Sequence, residues 1–280
     1  MPHLGQVEYA ILSDGVTYVD GGGAFGLVPR RIWQKLMAPD DQNLIPMTLN
    51  CLLLRSEGKT ILVDTGFGPD VPDRLAKIYG LQRPEGDLIQ GLKRLGVSPQ
   101  EIDIVIDTHL HADHCGGNTR RQGENWVATY PNAEYWVQRS ELADATYPNE
   151  RTRNTYFSQF FLPLQQTGHL RIVDGDTVVT SQIKTVMMPG HTRGQQGVLI
   201  ESGGQYGLFV ADMASFSYHF ERTAWVTAYD VEPLVTIETK RHWQRWAVQT
   251  GATIFFQHDP NVRTARLFAD GDRFRLEPTG

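Results

Sequence analysis

The segment His109-Leu110-His111-Ala112-Asp113-His114 gathers three imidazoles and a carboxylate into one short stretch. Histidine nitrogen and carboxylate oxygen are the usual ligands of catalytic zinc and of its neighbours in the first transition series. Packing alone does not explain so dense a run. Just upstream, Ile102, Ile104, Val105 and Ile106 read as a buried strand, and Gly116-Gly117 follow the cluster. The cluster therefore falls where a core strand ends and the chain turns, which is where α/β folds carry their sites. On such a turn His109 and His111 can face one point while Asp113 and His114, further round, face another. Two adjacent cations are served more easily this way than one.

Further ligand-type residues stand in similar settings. His191 follows the apolar run Ile183 to Met188 through Pro189-Gly190, Asp212 ends Leu208-Phe209-Val210-Ala211, and His258 ends Thr253-Ile254-Phe255-Phe256-Gln257. Asp64 repeats the pattern after Thr60-Ile61-Leu62-Val63 and precedes Thr65-Gly66, although Asp-Thr-Gly also suits a plain Asx turn. Cys115, next to His114, is an alternative ligand; Cys51 lies in an apolar run and reads as core. His3, His169 and His242 lie outside these settings and read as solvated or packed.

Taken in order, Asp64-Thr65-Gly66, His109-x-His111-x-Asp113-His114, Gly190-His191-Thr192, Asp212 and His258 resemble the five motifs of the metallo-β-lactamase superfamily. The resemblance implies an α/β fold, a four-layered αββα sandwich with a two-metal centre between its sheets. It implies that His109, His111 and His191 hold one metal and that Asp113, His114 and His258 hold the other. Asp212 would bridge the two, and Asp64 would orient a ligand imidazole from behind. Zinc is the default expectation for the two divalent ions, while manganese, iron and cobalt suit the same donors.

The chemistry expected of such a pair is hydrolysis. A solvent molecule shared by two cations loses its proton near neutral pH, and a metal can hold the substrate's carbonyl or phosphoryl oxygen. No Gly-x-Ser-x-Gly elbow suggests a serine nucleophile. Asp113 and Asp212 are the residues expected to act in catalysis, Asp113 by relaying a proton to the leaving oxygen.

The elements that must position these groups alternate. Val7 to Leu12 and Val16 to Val19 read as strands joined by a Ser13-Asp14-Gly15 hairpin turn. Asp20-Gly21-Gly22-Gly23 opens an irregular stretch to Pro46, with a short helix near Arg30 to Leu36. Strands are predicted at Met47 to Leu54, Thr60 to Val63, Glu134 to Val137, Leu170 to Met188, Gly197 to Ile200 and Gly207 to Ala211. Helices are predicted around Leu88 to Leu95 and from Thr236 to Thr250 ahead of Gly251, with several helical segments from Arg139 to about Gln166. Ser98-Pro99-Gln100-Glu101 has the form of a capping box.

The 280 residues, 40% hydrophobic, are read as one hydrolase domain spanning 1–280, because cutting between positions 109 and 258 would separate the ligands. The net charge of −6, from 26 basic and 32 acidic residues, argues against a nucleic-acid partner. No apolar run approaches the ~20 residues of a membrane helix, and Met1-Pro2-His3-Leu4-Gly5 does not open a signal peptide, so cytoplasmic residence is expected. Two cysteines in a reducing compartment predict no disulfide.

The substrate is approached through the N-terminal segment. Asp20-Gly21-Gly22-Gly23-Ala24-Phe25-Gly26-Leu27-Val28-Pro29, then Ile32-Trp33, resembles the leader of the quorum-quenching lactonases of the superfamily, whose wider relatives include methyl parathion hydrolase-like phosphotriesterases. The resemblance implies an N-acyl homoserine lactone or related ester as small-molecule substrate; the leader could separately serve a homodimer contact. Phosphotriesterase or arylesterase activity, and a diiron redox protein, are the alternatives. An aspartate at 212 is not the metallo-β-lactamase pattern proper, so β-lactam hydrolysis is not expected. With about 22 residues after His258, neither is the C-terminal domain of the glyoxalase II-like thioesterases. Phe25, Trp33, Phe216, Tyr218 and His219 are candidate substrate-binding residues. In the best-known homoserine lactonases a tyrosine stands three residues after the bridging aspartate. Here that position is Ser215, and Tyr218 or His219 would have to replace it.

Overall fold

The computed structural model describes residues 1–279. In chain order, β1 (His3–Leu4), β2 (Val7–Asp20), β3 (Leu44–Ser56), β4 (Lys59–Val63) and β5 (Ile104–Ile106) begin one sheet. A separate ribbon of β6 (Thr119–Gln122) and β7 (Asn125–Ala128) follows, after which β8 (Glu134–Gln138) and β9 (Leu170–Val173) complete the first sheet. The second sheet takes its strands in sequence: β10 (Thr177–Thr180), β11 (Ile183–Met187), β12 (Gln196–Ser202), β13 (Gln205–Phe209), β14 (Thr253–Phe255), β15 (Thr264–Asp270) and β16 (Arg273–Pro278).

Period-two alternation explains how the sheets stack. On β3 Leu52 and Leu54 point into the space between the sheets, as do Ile61 and Val63 on β4 and Ile104 and Ile106 on β5. They meet Val198, Ile200, Phe209 and Phe255 of the second sheet. The intervening residues, Leu53, Leu62 and Val105, face outward and are covered by Leu88 and Leu92 of the helix Leu88–Arg94. On the far side Leu199, Leu208 and Ile254 are covered by Trp243 and Ala247 of the long helix Pro233–Thr250. Helix, sheet, sheet and helix thus form the expected αββα sandwich. Each fully buried Leu, Ile or Val contributes roughly 1.5–3 kcal/mol, so the strands are held from both faces. No helix of the described residues is long and apolar enough to cross a membrane.

Two local expectations are corrected. Residues 7–20 are not a hairpin but one strand, paired along its length with β3 and irregular between Ser13 and Val16. Asp14 turns inward at that bulge instead of capping a turn. Its carboxylate accepts from Gly68 N at 3.0 Å, Leu88 N at 3.1 Å and Arg83 Nη2 at 2.9 Å. The Gly21–Phe25 segment is a short helix, capped by Asp20 accepting from Gly23 N, rather than irregular chain. The helical segments expected over 139–166 are Arg139–Thr146 and Leu162–Gln166, separated by turns. The β15–β16 hairpin was not anticipated.

Asp14 ties a strand to two loops while wholly buried. Asp14→Ala leaves two amides and a guanidinium short of their acceptor and is expected to cost about 3 kcal/mol. A lower denaturant midpoint at unchanged slope is the readout.

Candidate metal centre

Every ligand-type residue singled out above emerges beyond the carboxyl end of a strand, on the same side of the sandwich. Asp64 directly follows β4, His109 follows β5, His191 follows β11, Asp212 follows β13 and His258 follows β14. The short helix Ala112–Cys115 continues from His111 and turns Asp113 and His114 back toward the gap. Main-chain bonds hold the two sheets in register there: Thr48 N donates to His258 O at 3.1 Å and Gln196 N to Thr108 O at 2.9 Å.

The donor atoms converge. His111 Nδ1 lies 3.0 Å from His109 Nε2 and 3.1 Å from His191 Nε2. His258 Nε2 lies 3.2 Å from His114 Nε2, and both stand 3.8 Å from Asp113 Oδ2. Asp212 stands between the sets, with Oδ1 3.1 Å from His258 Nε2 and Oδ2 3.2 Å from His191 Nε2 and 3.5 Å from His114 Nε2. Two ligand atoms each about 2.1 Å from a tetrahedral ion stand about 3.4 Å apart, so these spacings fit the edges of coordination polyhedra.

The outer nitrogens point to the same conclusion. His114 Nδ1 faces Asp64 Oδ2 at 3.0 Å, His191 Nδ1 faces Asp230 Oδ1 at 3.0 Å, and His258 Nδ1 faces Thr48 O at 2.7 Å. Each of those acceptors calls for a proton on the outer nitrogen, which leaves a lone pair on the inner one. In the neutral rings three lone pairs then meet the Asp212 carboxylate, so the cluster takes up positive charge, either as protons on the imidazoles or as a bound cation. The donor set fits divalent metal.

Burial, then the neighbouring imidazoles, holds His109 and His111 well below the usual histidine range, so both are neutral, as ligands must be. Burial works against charge on Asp212 as well, but His258, His191 and His114 overcome it and hold the carboxyl well below the usual range. For His114 and His191 burial is likewise outweighed, by Asp113 and Asp212 in the first case and by Asp212 and Asp230 in the second, and both are raised. Two backbones beside the site carry positive φ in residues other than glycine, Asp64 at 56° and Ala211 at 46°. Such conformations persist only where surrounding contacts enforce them.

Residues 45–258 match the metallo-beta-lactamase superfamily. The chain belongs to that superfamily. Among its relatives, an N-acyl homoserine lactonase of Bacillus cereus is 27% identical over 228 residues, covering 78% of this chain and 83% of that protein. The N-acyl homoserine lactonase AttM of Rhizobium radiobacter is 26% identical, covering 65% and 67%. A probable metal-dependent hydrolase from Staphylococcus aureus superposes with a TM-score of 0.89 at 27% identity, each chain covered in full. AidC, a dizinc quorum-quenching lactonase, superposes at 0.82 with 22% identity over 100% of this chain and 96% of its own, a likeness of fold. The protein is a metal-dependent hydrolase of the metallo-beta-lactamase superfamily.

A cavity of about 320 Å³ opens over the superfamily site, with His111, Asp113, His191 and Asp212 at its base. Of the candidate substrate residues only Phe216 lines it. Phe25 lies behind Phe216, stacked on it at 5.9 Å and on Trp33 at 5.0 Å, so Phe25 and Trp33 back the wall instead of forming it. Tyr218 points elsewhere, its hydroxyl donating to Leu36 O at 3.2 Å. His219 is buried edge-on against Phe25 and Phe216 and does not reach the cavity. Cys115 donates its thiol to Leu110 O at 3.3 Å and takes no part in the three ligand clusters.

Other positions that hold the cluster in place gave no sequence signal. Asp230 lies in a loop without a preceding strand, and only its contact with His191, 39 residues away, shows its role. Glu141, on the helix Arg139–Thr146, accepts from Leu110 N at 2.9 Å, Thr192 Oγ1 at 2.6 Å and Tyr156 Oη at 3.1 Å, tying together both histidine loops. Nothing in its surroundings along the chain distinguishes it from an exposed helix glutamate.

Beneath His219 lies Lys240, buried, donating to His219 O at 3.1 Å and to Trp225 O. Burial lowers its pKa to about 7, with Asp230 acting in the opposite direction. An unfolded lysine titrates near 10.4, so between about pH 7 and pH 10 the unfolded chain holds a proton that the folded amine has released. Stability therefore rises with pH across that window. Relative to Lys240→Met, the wild type is expected to gain up to about 1.4 kcal/mol per pH unit there, measured by denaturant unfolding. Parallel pH curves for the two proteins would contradict this.

Proposed function

We propose that the protein hydrolyses lactones of the N-acyl homoserine type, using two divalent cations at this centre. His109, His111 and His191 would hold one cation, Asp113, His114 and His258 the other, with Asp212 shared. The convergence of all seven side chains at the floor of a partly apolar cavity carries the reading, and the lactonase relatives support it. When bound, the cations supply Lewis acidity toward the ester carbonyl and ionise water near neutral pH. Zinc is the metal proposed.

The remaining work falls to the chain. Asp64, Asp230 and the Thr48 carbonyl fix the outer nitrogens of His114, His191 and His258, keeping the inner nitrogens aimed. Asp113, half-buried and lining the cavity, would pass the proton released by the attacking water to the leaving alkoxide through Oδ1, the oxygen not turned toward His114 and His258. Val19, Ala24, Met47 and Phe216 give the acyl chain an apolar wall and exclude water beside it. Its aromatic share also suits aryl esters, which is the second reading.

A panel of lactones, aryl esters, thioesters and phosphotriesters, assayed with zinc-, manganese-, cobalt- and iron-loaded protein, tests this. The highest kcat/KM is expected on an N-acyl homoserine lactone. Turnover confined to phosphotriesters or aryl esters would overturn the substrate, and a coloured, redox-active iron form without hydrolysis would overturn the reaction.

A further inference from the structure

The cavity wall contains a pair of hydroxyls that the protein leaves unused. Most of the polar side chains around it are already committed. Ser215 Oγ donates to Asp212 Oδ1 at 3.0 Å, Thr155 Oγ1 to Thr152 O at 2.7 Å and Thr227 Oγ1 to Asp230 Oδ1 at 2.8 Å. Arg151 spends Nη2 on the carbonyls of Ala228 and Asp230 at 2.8 and 2.9 Å. The phenols of Tyr79 and Tyr229 also line the cavity, and neither makes a hydrogen bond among the described residues.

Both rings are nonetheless held in place. Tyr79 packs on Phe67 with centroids 5.1 Å apart, and its backbone carbonyl accepts from Tyr18 N at 2.9 Å. Tyr229 lies directly on Gly23: a Cβ at position 23 would fall 2.3 Å from its Oη. Gly23 also accepts from Ala228 N at 2.9 Å through its carbonyl, which sets the Tyr229 backbone over the helix Gly21–Phe25. A side chain at position 23 would have to displace the Tyr229 ring, so glycine there lets the ring lie against the helix Gly21–Phe25. Tyr79, half-buried, and Tyr229, partly open to solvent, line the same cavity as Asp113 and Asp212. A neutral phenol is a good donor to a carbonyl or ring oxygen, and satisfying two such donors rewards a substrate rich in acceptor oxygens.

We propose that Tyr79 and Tyr229 are the groups by which the cavity grips an oxygen of its neutral ester or lactone substrate, with Gly23 fixing the position of the Tyr229 hydroxyl. The assignment rests on the hydrolase reading above but not on the choice of lactone. Because neither hydroxyl is bonded in the free protein, Tyr79→Phe and Tyr229→Phe should leave the unfolding midpoint and bound metal unchanged. Each should lower kcat/KM about three- to tenfold on whichever substrate of the panel is turned over fastest. Gly23→Ala should reproduce the Tyr229→Phe loss by displacing the ring. If both phenylalanine variants stay within about twofold of the wild type on that substrate, the proposal is wrong. So it is if either variant changes metal content or stability in step with activity, since the phenol would then be structural. A wild type active only on aryl esters or phosphotriesters removes the lactonase reading, and the same variants still decide the phenols on that substrate.

Discussion

Asp212→Ala is expected to lower bound metal and to reduce kcat/KM by on the order of 10³-fold or more, the largest effect of any single change in the molecule. Among the described residues, Asp212 alone has two oxygens that reach both ligand sets, within 3.2 Å of His191 on one side and 3.1 Å of His258 on the other. In the proposed centre it supplies, with Asp113, the anionic charge that balances two divalent ions. Its loss leaves imidazoles facing one another across the gap and removes the acceptor of Ser215. Asp212→Asn separates charge from shape, keeping an oxygen in place while removing the negative charge, and should lose nearly as much. Metal analysis of the dialysed variants, with far-UV circular dichroism to verify folding, provides the check. Full metal content and turnover in Asp212→Ala would refute the bridging role.

Asp64→Ala is the second. Asp64 is buried and makes three bonds, to Thr108 N at 2.7 Å, Thr108 Oγ1 at 2.8 Å and His114 Nδ1 at 3.0 Å. Removing it frees His114 to change tautomer and leaves a buried amide without its acceptor. Loss of such an outer partner typically lowers metal affinity or activity about 10- to 100-fold. Alanine is also a poorer occupant than aspartate of the left-handed backbone at position 64, which adds to the instability. Asp64→Asn tolerates that backbone and retains one acceptor oxygen, so it should recover much of the stability but less of the metal affinity. Equal recovery of both would mean that Asp64 serves the fold alone.

The converging side chains were legible in the sequence because their chemistry is local. A histidine or aspartate closing a β-branched run announces both a strand end and a donor, and that pattern holds at residues 64, 109, 191, 212 and 258. The alternation of Leu52, Leu53 and Leu54, or of Ile104, Val105 and Ile106, likewise carries the two faces of a strand. Where the reading went astray, a long-range contact overrode local preference. Ser13-Asp14-Gly15 has the composition of a turn, but the buried contacts of Asp14 with residues 68, 83 and 88 bend it into a bulge instead. Three consecutive glycines disfavour helix, yet Asp20 caps them, and Trp33 and Tyr229 occupy the space their missing side chains leave.

The substrate wall was the least legible part. Phe25, Trp33, Tyr218 and His219 are aromatic and close to the site in sequence, yet they pack behind Phe216 or point away. Tyr79 and Tyr229, which do reach the cavity, come from a helix end and a loop where a tyrosine carries no pattern. Asp230 and Glu141 were hidden for the same reason: a polar residue that orients another acts across a fold, not along a period.

The most direct test of the central claim is a crystal structure of the zinc-loaded protein with anomalous differences measured at the zinc edge. Two peaks are expected about 3.5–4 Å apart, one among His109, His111 and His191, the other among Asp113, His114 and His258, with Asp212 touching both. A single peak at saturating zinc, or peaks away from these side chains in a protein that hydrolyses lactones at full rate, would contradict the account.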